Sequence, residues 1–137
     1  MTPHEMASTH AAAFTQSRPW STSEFASLLV NPFAYYVGDS NCFALVQVIA
    51  GEAELLTIAT HPSMQRQGLA LNIMRHWHEQ AVAMKASRAF LDVAADNMAA
   101  IKLYQRCEYY QCGLRKDYYA REFGPKIDAL VMERSLP

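Results

Sequence analysis

The chain has 137 residues, 51% of them hydrophobic and 18% charged, with 12 Lys and Arg against 13 Asp and Glu. That length holds one domain with a real core and leaves no room for two ordinary ones, and the composition is that of a globular protein rather than a disordered one. A formal net charge of −1 excludes a general attraction to nucleic acid or anionic lipid. Three cysteines without C-x-x-C spacing point to neither a disulfide framework nor a zinc site. No run approaches the roughly 20 apolar residues of a membrane span, and no basic segment followed by an apolar run opens the chain, so a cytoplasmic domain is expected.

Thr2-Pro3-His4-Glu5 is a capping box with proline at the first helical position, which predicts a helix through about Ala13. Ser21-Thr22-Ser23-Glu24 repeats the device and opens a shorter helix that Asn31-Pro32 stops. Phe33–Val37, Cys42–Ala50 and Ala53–Thr60 read as strands, separated by Gly38-Asp39-Ser40-Asn41 and Gly51-Glu52 turns. After the polar loop Ser63–Gly68, a long helix carries Leu69, Ile73, Trp77, Ala81 and Met84 at helical spacing. Arg88–Ala95 is a buried, parallel-type strand. Asp96 or Asn97 caps a short helix bearing Ile101 and Tyr104. Tyr109–Leu114 and Ile127–Arg134 close the fold as antiparallel strands around a long loop. Helices, a meander and a strand–helix–strand–helix core make an α/β or α+β fold in one domain, residues 1–137.

The most informative stretch is Leu55 to Ala70, where an apolar strand turns directly into a helix N-terminus. Such a turn leaves backbone N–H groups unpaired at the positive end of a helix dipole, a ready phosphate site. Gly68 lets the backbone approach closely, Ala70 permits tight packing and Arg66 adds a cation. Neither the Walker pattern nor G-x-G-x-x-G is present. On its own the segment is equally an ordinary strand–loop–helix joint.

Gln65-x-x-Gly68-x-Ala70 after an apolar strand resembles motif A of the Gcn5-related N-acetyltransferase (GNAT) superfamily. Leu91-Asp92-Val93 followed by Asn97-x-x-Ala100-x-x-Leu103-Tyr104 resembles the family's next signature. Pro19-Trp20-Ser21, Arg115 to Tyr119 and Asp128 to Met132 resemble the bacterial ribosomal-protein-alanine acetyltransferase branch. The resemblance implies a mixed sheet of about six or seven strands flanked by about four helices, with the family's leading strand missing or short. It implies acetyl-CoA as donor, with Ile58, Ala59, Thr60 and Asn97 along the pantetheine arm and Arg66, Gln67, Gly68, Leu69, Ala70 and Leu71 around the pyrophosphate. Tyr104 is then the general acid, unless it only packs its helix against the sheet.

Asp92 stands where that branch usually has glutamate, and it is a base, an orienting group or a strand-end carboxylate paired with a cation. Trp20, Tyr118 and Tyr119 are expected on the acceptor side, unless they are edge packing. The implied acceptor is a protein N-terminus, with a small-molecule amine as the alternative and a non-catalytic acyl-CoA-binding module as a third reading. A homodimer is compatible with the resemblance, and no metal is called for. At pH 7 an α-amine with pKa near 7.8 is about 14% neutral and a lysine at 10.4 about 0.04%, a gap worth roughly 3.5 kcal/mol. A short or water-mediated base therefore suits an α-amine better. Glu108 stands where the family commonly has glycine, and a positive φ there would cost about 1 kcal/mol.

Overall fold

The computed structural model describes residues 1–15 and 18–137. Helices α1 (Pro3–Ala13) and α2 (Thr22–Leu29) each start on a complete capping box. The Thr2 hydroxyl accepts from the Glu5 N–H at 3.1 Å while the Glu5 carboxylate accepts from the Thr2 N–H at 2.8 Å. Ser21 and Glu24 exchange the same pair of bonds at 3.2 and 3.1 Å. Each cap is worth about 1 kcal/mol, enough to fix where two short helices begin.

Strands β1 (Ala34–Gly38), β2 (Cys42–Ile49) and β3 (Glu52–Thr60) form an antiparallel meander. A single 3₁₀ turn at Pro62–Met64 leads to α3 (Leu69–Ala83). Strand β4 (Arg88–Ala94), α4 (Met98–Arg106), β5 (Tyr110–Tyr119) and β6 (Ile127–Ser135) complete the chain. The sheet order is β1-β2-β3-β4-β6-β5, with β3 and β4 parallel and every other pair antiparallel. The sequence places β5 correctly but ends it at Leu114, whereas the strand continues to Tyr119 and leaves a shorter loop. The cap of α4 is Asn97, whose side chain accepts from the Ala100 N–H at 3.2 Å. Among the described residues no strand precedes α1, and β1, at the end of the strand order, pairs with β2 alone.

Two apolar layers hold the sheet. On one face α3 and α4 bury Met74, Trp77, Ile101 and Tyr104 against Val46, Leu55, Leu91 and Met132. On the other, α1 and α2 bury Met6 and Phe25 against Phe43, Leu45 and Ala59. No helix among the described residues is long and apolar enough to cross a membrane.

Candidate active site

The sheet opens in its middle. Strands β3 and β4 pair only at Glu52↔Arg88, Ala53↔Ala89 and Glu54↔Phe90, so beyond Glu54 the edge of β3 that faces β4 has no strand on it. The cause lies one pairing away. Val46 of β2 pairs with Leu55 and Leu45 with Thr57, which makes Leu56 an extra residue, a β-bulge. A bulge bends its strand and increases local twist, which turns the rest of β3 away from β4. Ile58, Ala59 and Thr60 lie on this parted stretch. Ile58 packs toward α3 and α4, Ala59 toward α1 and α2, and the Thr60 hydroxyl meets the Cys42 sulfur at 3.2 Å.

The parted strand leads straight to the start of α3. Unlike α1 and α2, α3 has no side-chain cap, because its N-cap is Gly68 in the left-handed region at φ +78°. A Cβ on Gly68 would meet nothing within 4 Å, so its surroundings are open and the backbone conformation is what calls for glycine. Arg66 is also left-handed, at φ +64°. Among the described residues, the N–H groups of Arg66, Gln67, Gly68, Leu69, Ala70 and Leu71 donate to no protein acceptor, and the first bond of the helix is Asn72 N–H to Gly68 O at 3.2 Å. Left-handed residues in quick succession at an uncapped helix start make a concave set of donors suited to a diphosphate.

Two carboxylates and a guanidinium gather at the other end of the opening. Asp92 on β4 accepts from Arg115 Nε on β5 at 3.4 Å, its side chain 20% exposed. Glu54 sits at the last β3–β4 pair. Burial pushes its carboxyl above the usual range, the Asp92 charge pushes it further, and Arg115 partly offsets both. Tyr119, at the end of β5, is pushed up to about 12 by burial and then by Asp92.

Tyr104 on α4 is buried, which drives its phenol well above its ordinary value, with Tyr119 and Cys107 acting in the same direction. It stays a proton donor across any working pH. It also packs in the core, its ring centroid 6.0 Å from that of Tyr109. Arg121 pairs with Asp96 at 2.8 Å and lies 5.9 Å from the Tyr119 ring, which ties the loop after β5 to the end of β4.

The fold thus brings Asp92, Tyr104 and Tyr119 to one neighbourhood and sets Ile58 to Thr60 on the path between them and the α3 start. Asn97 is adjacent in chain but occupied as a helix cap. Tyr118 is half exposed, its ring 5.0 Å from Tyr119 and 5.7 Å from the Arg115 guanidinium. Trp20 stands in the α1–α2 layer instead, stacked on His10 at 5.3 Å and lining an open groove with Ser23, Glu24, Ser27 and Leu28. Glu54 and Arg115 are the site residues that sequence reasoning did not assign. Arg115 was inside a quoted motif, while Glu54 carried no local signal beyond being an acid in an apolar strand.

Residues 10–109 match the model of the acetyltransferase (GNAT) family. The ribosomal protein bS18-alanine N-acetyltransferase of Escherichia coli (strain K12) is 33% identical over 118 residues, 83% of this chain and 79% of that protein. The N-alpha-acetyltransferase RimI of Mycobacterium tuberculosis (strain ATCC 25618 / H37Rv) is 31% identical over 134 residues, 90% of this chain and 80% of that protein. The crystal structure of the ribosomal-protein-S18-alanine N-acetyltransferase from Escherichia coli matches with a TM-score of 0.88 at 28% identity, covering 98% of this chain and 87% of that one.

Proposed function

The chain belongs to the acetyltransferase (GNAT) family, with acetyl-CoA as donor, and from that premise we propose that it acetylates the α-amino group of a protein N-terminus in the cytoplasm. The observation that carries the reading is the opening between β3 and β4, continuous with an uncapped helix start. In it the donors of Arg66 to Leu71 hold the pyrophosphate. The pantetheine arm runs back past Thr60, Ala59 and Ile58, with Asn97 alongside, and the free β3 edge near Ile58 donates to the thioester carbonyl. Tyr104 supplies the proton for the departing thiolate. Asp92 holds the incoming amine from the opposite strand, and Tyr118, Tyr119 and Trp20 shape the acceptor side.

Two lines support an N-terminal acceptor. Two relatives are named for acetylating an alanine of a ribosomal protein and for N-alpha-acetylation. Asp92 is already paired with Arg115, and an amine that is partly neutral at pH 7 asks less of a base than a lysine side chain does. The test is a panel of amines with acetyl-CoA. Peptides with free N-terminal Ala or Ser should outrun lysine side chains, polyamines and amino acids, and the reverse order would sink the acceptor assignment. Acetyl-CoA at 100 times its Kd should also stabilise the fold by about 2.7 kcal/mol while adenine alone does not.

A further inference from the structure

Resting on the acceptor reading above, we infer that the face of β4, β6 and β5 turned away from α3 and α4 holds a subsite for an apolar side chain at the third residue of the acceptor. Phe90 and Val131 are its floor, and Gly113 is the gap that admits the side chain. The face is set by pairing. Residues directly opposite in a sheet share a face, so Phe90 stands with Glu133 and Tyr110, and Asp92 with Val131 and Gly113. The alternate residues Ala89, Leu91, Val93 and Met132 go into the α3–α4 core. Helices α1 and α2 bury their apolar residues on β2 and β3 instead. Phe90 and Val131 therefore belong to neither core and stay half-buried.

Most of the charge at the rim is already paired. Arg88 is shared between Glu52 and Glu133, Glu133 also accepts from the Tyr110 hydroxyl at 3.0 Å, and Arg115 holds Asp92. Among the described residues, Glu54 across from Phe90 is the rim carboxylate outside these pairs. The Arg88 guanidinium lies over the Phe90 ring, 4.7 Å from its centroid, and fixes the ring in place. A Cβ on Gly113 would stand 3.5 Å from the Val131 Cβ, an ordinary contact that any other residue would make. Glycine leaves that side of Val131 bare.

Spacing selects the third residue. Asp92, which holds the amine in that reading, is two residues from Phe90 on β4, about 6.6 Å at a strand's rise. An extended acceptor lying along β4 has the same rise and the same alternation. Its third side chain then comes down over Phe90 and Val131, while its second points away from the sheet.

The experiment uses the full chain, acetyl-CoA and peptides Ala-Gly-X-Gly-Ser-Gly with Phe, Leu or Gly as X, beside a set with X moved to the second position. Phe or Leu at the third position should raise kcat/KM over Gly by about 10-fold, chiefly through KM, the low end of what burying such a side chain gives. At the second position the same change should matter by less than about two-fold. Gly113→Val fills the gap with a residue suited to a strand, and the position is not left-handed, so the backbone accepts it. Phe90→Ala removes the floor. In each variant the third-position preference should vanish while acetyl-CoA affinity by calorimetry and the circular dichroism spectrum are kept, which separates loss of the subsite from loss of the fold. Equal rates for the three third-position peptides, a preference that appears at the second position, or one that survives in both variants would overturn the subsite and leave the N-terminal acceptor standing. Failure of every peptide beside an acetylated lysine side chain would instead strike the acceptor reading, and the subsite with it.

Discussion

Replacing Glu108 with glycine should stabilise this protein. Helix α4 ends in a Schellman motif, with Glu108 N–H donating to Gln105 O and Tyr109 N–H to Tyr104 O, both at 3.0 Å. That geometry requires the residue after the cap to be left-handed, and Glu108 has φ +69°. A left-handed L-residue is strained by roughly 1–2 kcal/mol, and glycine relieves it at the expense of about 0.4–1 kcal/mol of unfolded-chain entropy. The Glu108 carboxylate lies 3.9 Å from Arg134 and is 82% exposed, so the ion pair that is lost contributes next to nothing. The net gain is about 0.5–1 kcal/mol, or roughly 2–4 °C in Tm for a domain of this size. Thermal melts of Glu108→Gly beside Glu108→Ala make the test, since alanine shares the strain and should gain nothing. A melting temperature unchanged or lowered by glycine, or raised equally by alanine, would refute the strain argument.

Two further outcomes follow from buried groups. Tyr104→Phe removes the hydroxyl and keeps the ring that packs beside Tyr109, so turnover should fall by about 10²-fold with acetyl-CoA affinity unchanged, and undiminished turnover would leave Tyr104 a packing residue. His10 is fully buried, accepts from the Trp20 N–H at 3.2 Å, and is pushed down to about 4, chiefly by burial. His78, bonded to the Tyr109 hydroxyl at 2.6 Å, is also pushed down to about 4, by burial and then by Arg134. In both, the folded value lies below the unfolded 6.5, so the stabilisation is complete above pH 6.5 and is lost as pH falls toward 4. For His10 the loss is up to about 3 kcal/mol. Denaturant midpoints from pH 7 to 4.5 should therefore fall steeply in the wild type and less steeply in His10→Asn, and equal slopes would count against the linkage.

The parts of this fold that could be read from sequence are those set by near neighbours in the chain. Both capping boxes, the hairpin turns and the period of α3 depend on residues three or four apart, and each appears where it was expected. The far half of β5 was missed because Arg115 to Asp117 are polar and exposed, with no alternation to mark a strand. Arg115 pairs with Ala129 and Tyr119 with Ile127, and the residues between them bulge out of register, with Asp117 left-handed at φ +51° and its N–H donating to the Asp128 carboxylate. Glu54 was passed over for a related reason. Its meaning depends on Asp92 and Arg115, which arrive from two other strands, and nothing within β3 distinguishes it from Glu52, whose carboxylate only pairs with Arg88.

The bulge at Leu56 links these observations. Before it, Ala53 and Leu55 face the α3–α4 layer, and strict alternation would send Thr57 and Ala59 the same way. Instead Ile58 packs on that layer and Ala59 joins Phe43 and Met6 on the other. One extra residue therefore exchanges the faces of β3 at the level where the strand leaves β4. Glu54, on the near side, keeps the orientation that brings it toward Asp92, while Ile58 to Thr60, on the far side, turn with the parted edge toward the start of α3. Deleting Leu56 would restore alternation, return the β3 edge toward β4 and remove the opening while leaving both carboxylates in the chain. The capacity to bind acetyl-CoA should then vanish before the fold does, as calorimetry beside circular dichroism can resolve. A deletion variant that folds and still binds would mean that something other than the bulge holds the strands apart.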